Sequence, residues 1–156
     1  MHRMDMITLG HLAIDPEGRL APKLADRPLE FTFDWRGRRC RAELSVEGLA
    51  VETDAARIPS TAEGRDLRQT SFATLAALTP GMPDGWRIGL TPDHRIRFEA
   101  DLALVPPTNS PELIAALVRF VLALDPYLDR LEAAGTGWAV GSAKTCPGKI
   151  RLGSAI

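Results

Sequence analysis

Leu29, Phe31, Phe33 and Trp35 alternate with Glu30, Thr32 and Asp34. A strict period of two sends successive side chains to opposite faces, so the segment predicts a strand with one apolar and one polar face. Arg36-Gly37 fits a two-residue hairpin loop. Beyond it Cys40, Ala42, Leu44 and Val46 repeat the inward row, while Arg39, Arg41, Glu43 and Ser45 face out. Pairing across the turn sets Phe33 opposite Cys40, Phe31 opposite Ala42 and Asp34 opposite Arg39, a favourable charge pair. Glu47-Gly48 predicts the next turn, after which Leu49, Val51 and Thr53 continue the row. A one-residue slip would turn every apolar side chain to solvent, so the pattern predicts a three-strand meander with one covered face.

The following segments change period. Ser60-Thr61-Ala62-Glu63 has the form of a capping box and predicts a helix from there to Leu78. Its expected buried side is Leu67, Ser71, Phe72, Leu75 and Leu78; Thr79-Pro80-Gly81 ends it. Trp86, Ile88 and Leu90 then alternate inward, Pro92-Asp93-His94 turns the chain, and Ile96, Phe98, Ala100, Leu102 and Leu104 return. His94, at the tip, reads as a turn residue in a left-handed backbone. Ser110-Pro111-Glu112 predicts a helix start, with Ser110 as N-cap and the proline in the first turn. The helix stripe is Leu113, Leu117, Phe120, Val121, Leu124, Leu128 and Leu131. Ile114, Val118 and Leu122 widen the apolar arc, as expected of a helix that packs on more than one surface. At Asp125-Pro126 the sequence predicts either a kink or a second short helix capped by Asp125.

Before this block, residues 6–14 predict a strand, Asp15-Pro16-Glu17-Gly18 a turn, and 21–28, with Pro22 and Pro28, a connector. The expected fold is therefore α+β: a single antiparallel sheet, made of the three-strand meander plus a hairpin, with helices packed on one face. It is a single domain over 1–156, with 1–28 an N-terminal strand and connector and 136–156 a C-terminal tail. The tail carries Trp138, Val140, Ile150, Leu152 and Ile156 without a period, and is expected to dock on its own domain, or else to add to a partner chain or occupy the groove meant for a client.

Composition narrows the function classes. A formal net charge of -1 gives no overall field for nucleic acid, and no segment approaches the ~20 apolar residues of a membrane span. The run Met6–Ile14 is too short and polar for a secretory signal, and two cysteines, Cys40 and Cys146, make no disulfide framework; a cytoplasmic protein is expected. His2, His11 and His94 have no partner at metal-ligand spacing, and no nucleophile elbow, Cys-x-x-Cys or dinucleotide fingerprint occurs. The 137–145 stretch departs from phosphate-loop spacing. No catalytic residue and no cofactor is expected. One chemical alternative remains: Glu30, Glu43 and Glu52 fall side by side in the predicted register, and three adjacent carboxylates suit a cation or a raised pKa.

The element order strand-strand-strand-helix-strand-strand-helix resembles the class I type III secretion chaperones, the Tir-chaperone or CesT-like fold, and their YbjN-like relatives. The likeness rests on RIPSTAEGRDLRQTSFATLAAL, similar to the middle helix and its lead-in. It rests too on RIRFEADLALVPP running into SPELIAALVRFVLALDPYLDRL, similar to the last strand and final helix. The chain departs from the family in its first 28 residues, where the family has a helix, and in its long tail. The resemblance implies a non-enzymatic bacterial protein, often a homodimer, that holds an extended segment of a client protein through exposed apolar residues. Phe72, Leu75, Ile114, Val118, Leu122 and Trp138 are the expected partner or oligomer contacts. The alternative is a small metal- or ligand-binding domain or enzyme built on the acidic row.

Overall fold

The structure, a computed structural model, describes residues 7–9, 12–22 and 27–136. It is α+β, with two antiparallel sheets instead of the single one expected. The smaller sheet joins β1 (Ile7–Leu9), β2 (Leu12–Ile14), β3 (Arg19–Pro22) and the two-residue β9 (Thr108–Asn109) in that order. The predicted single strand over 6–14 is thus two strands folded on each other, Ile7 opposite Ile14. Part of the predicted connector is strand β3, entered through the Asp15–Gly18 turn, where the Gly18 N–H donates to the Asp15 carbonyl at 2.9 Å.

The larger sheet holds β4 (Leu29–Trp35), β5 (Arg38–Ser45), β6 (Gly48–Arg57), β7 (Trp86–Leu90) and β8 (Arg95–Leu102), in the order β4-β5-β6-β8-β7. Both the meander and the hairpin of the sequence reading lie in it. Arg36 and Gly37 take φ of 49° and 75°, the left-handed pair that a tight hairpin needs, and Phe33 faces Cys40 as predicted. The second turn is displaced by one residue: Val46-Glu47 form it, so Ser45 pairs with Gly48 and Ala42 with Val51. Val46, expected inward, is 52% exposed because it belongs to the turn. Farther along β6, Val51, Thr53 and Ala55 are buried in alternation. A bulge between Asp54 and Ala56 then brings Ala56 inward as well. His94 has φ 61°, the left-handed turn residue expected between β7 and β8. Gly85, just before β7, has φ 79°, and a Cβ there would stand 2.8 Å from the Asp101 carbonyl oxygen.

The covered face of the sheet and the two helices share one core. Cys40, Ala42, Leu44, Leu49, Val51, Ile96 and Phe98 are buried together with Leu78 of α1 (Arg65–Leu78) and Phe120, Leu124, Leu128 and Leu131 of α2 (Ser110–Ala133). Phe33 packs against this cluster from the edge, on the same side as Phe98. Burying an aliphatic or aromatic side chain stabilises by ~1.5–3 kcal/mol, so this cluster carries most of the fold.

Helix ends differ from the sequence reading in small, explicable ways. Glu63 does reach back to the Ser60 N–H, at 2.6 Å, but it closes an isolated turn, and α1 starts only after Gly64, whose φ of 138° no helix continues. The N-cap of α2 is Asn109, which accepts the Glu112 N–H at 2.8 Å, in place of its neighbour Ser110. At Pro126 no second helix begins: α2 runs on from Ser110 to Ala133 with the proline inside it. Pro126 is exposed, so the Leu122 carbonyl deprived of its N–H partner lies on the side where water replaces it.

Candidate partner-binding surface

The outer half of α2 is apolar. Ile114, Val118 and Leu122 are 60%, 47% and 61% exposed. Spaced by four, they form one row along the helix, and the same row continues through Asp125 and Asp129. That continuation is tied down: Asp125 accepts from the Trp35 indole N–H at 2.8 Å, and Arg36 reaches Asp129 and Glu132, each at 2.9 Å. Among the described residues the first half of the row has no such cover. Its three branched side chains present an apolar ridge to solvent, and the widened arc read from the sequence is real as a surface feature.

The other expected contacts divide. Leu75 is half-buried and packs against the core, so it supports the fold. Phe72 and Leu67 were expected on the buried side of α1 and are instead 37% and 45% exposed. Only Ser71 and Leu78 of that helix are fully covered, because α1 meets the rest of the molecule along a narrow line. The Arg68 guanidinium sits 5.1 Å from the Phe72 ring centroid, a cation–π contact that shields one face of the ring. Trp138 lies outside the described residues.

The acidic row is not assembled as the sequence predicted. Glu30 does face Glu43, but the displaced turn sets Glu43 opposite Ala50 and Glu52 opposite Arg41. Arg41 stands 3.1 Å from Glu30 and 3.7 Å from Glu52, and Arg97 reaches Asp54 at 2.7 Å. Arg87 likewise spans Glu99 and Asp101, at 3.3 and 2.7 Å. The outer face is thus a lattice of alternating charge. Among the described residues no group of three or more His, Cys, Asp or Glu is placed to hold a metal ion.

A third feature was not read from the sequence. Beside α2, on the flank away from the Asp125 row, lies a groove of about 250 Å³ lined by Pro83, Trp86, Leu102, Ala103, Ala116, Arg119, Phe120 and Ala123. Trp86 stacks on Phe120, centroids 5.0 Å apart and 25° between planes, and lies 6.2 Å from Tyr127. Ala116, Arg119 and Ala123 recur at helical spacing, and the two alanines keep the floor low. That spacing of small residues was the one signal available in the sequence.

Titration is perturbed away from these surfaces. Burial pushes the Cys40 thiol above its ordinary value, so it is a packed, unreactive sulfhydryl. Glu63 is held at about 2, first by the side-chain hydrogen bond from Arg57 and then by the Ser60 N–H. No helix of the described residues is long and apolar enough to cross a membrane. Comparison with family models, curated proteins and solved structures finds no match.

Proposed function

We propose that this chain is a non-enzymatic protein-binding protein of the cytoplasm, similar in role to the secretion chaperones, that holds an extended segment of a client along α2. The observation that carries this reading is the row Ile114, Val118 and Leu122, three branched aliphatic side chains at roughly half exposure or more on a helix whose Phe120, Leu124, Leu128 and Leu131 are buried in the core. Contiguous apolar surface of this kind is a mark of interaction sites. Self-association as a homodimer belongs to the same proposal, with Phe72 and Leu67 of α1 as the contact. A secretion system as the destination of the client rests on the resemblance alone.

The test uses a permanently unfolded, carboxymethylated test protein carrying a fluorophore. Anisotropy should report saturable binding, and Val118→Asp should weaken it about tenfold or more, since a desolvated charge in an apolar contact costs ~1.4 kcal/mol or above. The melting temperature should hardly change, because Val118 is half exposed. Equal binding by the variant, or none by the parent, overturns the reading. Light scattering of the same samples at tens of micromolar addresses the dimer, and a monomer removes it.

A further inference from the structure

The groove between α2 and the start of β7 has a chemical signature of its own. Its walls are Trp86, Phe120, Pro83 and Leu102, and its floor is alanine. Among the described residues lining it, only the Trp86 indole and the Arg119 guanidinium are polar side chains, and both are donors. Trp86 Nε1 donates to no described residue, in contrast to Trp35 Nε1, which is taken by Asp125. Arg119 makes no hydrogen bond or ion pair with any described residue, although most other arginines described here are bridged to carboxylates. Among the described residues no acidic side chain lines the groove.

We infer that this groove is a site for a small amphiphilic carboxylate, with a single ring or short branched chain as its apolar body. The apolar part lies against Trp86 and the alanines, and the carboxylate accepts from Arg119 and from the Trp86 indole. The volume of about 250 Å³ falls just under the range of drug-sized sites, which limits the ligand to one ring or its equivalent. Charge selects the class: a groove offering donors and one uncompensated cation favours an anion over a neutral isostere, and a planar guanidinium matches a carboxylate in shape. A cation would meet Arg119 with repulsion. The inference is independent of the client-binding row, which lies on another flank of α2.

The experiment follows the indole N–H resonance of Trp86 in the full chain, assigned by its loss in Trp86→Phe. The probes are 3-phenylpropionate, its neutral amide 3-phenylpropionamide, and acetate. Phenylpropionate should shift the Trp86 signal saturably, the amide about tenfold or more weakly, and acetate not at all at matched concentration. Arg119→Gln should erase the preference for acid over amide. Ala123→Leu, which fills the floor from a half-exposed position, should weaken both ring-bearing probes. The proposal is overturned if the acid produces no saturable shift in the folded protein, if the amide binds as well as the acid, or if Arg119→Gln keeps the preference.

Discussion

The two edge strands of the five-stranded sheet are fastened to the same helix by different chemistry. At β4 the fastening is polar and directional. Trp35 donates to Asp125, Arg36 in the turn that follows spans Asp125, Asp129 and Glu132, and the buried Arg38 at the start of β5 donates to Glu132 at 2.9 Å while its Nε holds the Ala55 carbonyl of β6 at 2.6 Å. At β7 it is aromatic. Trp86 stacks on Phe120, and Phe98 and Tyr127 lie 5.6 Å apart beside it. Hydrogen bonds fix how α2 meets the end of β4 and the turn after it. Ring stacking fills volume without specifying every neighbour, and a groove remains open next to Trp86. Adhesion is therefore dense where charge organises it and incomplete where rings do.

The largest effect should come from breaking the polar fastening. Arg38→Met removes donors to the Ala55 and Arg36 carbonyls and to Glu132, leaving both carbonyls without that donor while Glu132 keeps only Arg36. The expected loss is about 3 kcal/mol, read from urea unfolding monitored by circular dichroism. A loss below ~1 kcal/mol would mean the two fastenings do not differ as described.

Trp86→Ala comes next. A sealed aromatic site costs ~3–5 kcal/mol on truncation, but Trp86 is half-buried beside an existing groove, so about 2 kcal/mol is expected in the same assay. A cost equal to that of a sealed site would show that the groove contributes little slack.

The smallest effect belongs to Glu63, which touches neither edge and sharpens the contrast as a reference. Its folded-state value of about 2 lies below the ordinary 4.5. A depressed carboxylate contributes stability that is fully present above the unfolded value and is lost as pH falls through the folded one. Glu63→Gln should therefore melt slightly lower than the parent at pH 6, and the difference should shrink between pH 4.5 and about 2. A difference independent of pH would assign the effect to packing instead of charge.

Much of this arrangement is legible from local sequence, and the exceptions share a cause. The β4–β5 pairing follows residue by residue from alternation and from Arg36-Gly37, because both act over a few positions. The second turn was misplaced because Val46 looks like one more inward residue, and nothing local forbids it from continuing the row. Asn109 and Ser110 are both good caps, so choosing between them depends on where β9 ends. The exposure of Phe72 and Leu67 and the groove at Arg119 depend on how much of α1 and α2 the rest of the chain covers. That is set by tertiary contact, which periodicity does not encode. The acidic row failed with the turn that generated it.

The bulge in β6 has a bearing on how the chain reaches this state. Sliding a strand by one residue exposes its apolar row and is heavily penalised, but sliding by two keeps every inward side chain inward. A two-residue slip of β5 on β6 is therefore a competing basin for the folding chain, with the same hydrophobic reward as the native hairpin. What separates the two is the Ala55 carbonyl at the bulge, which meets the Arg38 guanidinium in the native register. The irregularity thus marks the native register through a contact between residues 17 positions apart. A chain whose β6 ran straight would lose that discrimination and be expected to populate both hairpins on the way to the native state.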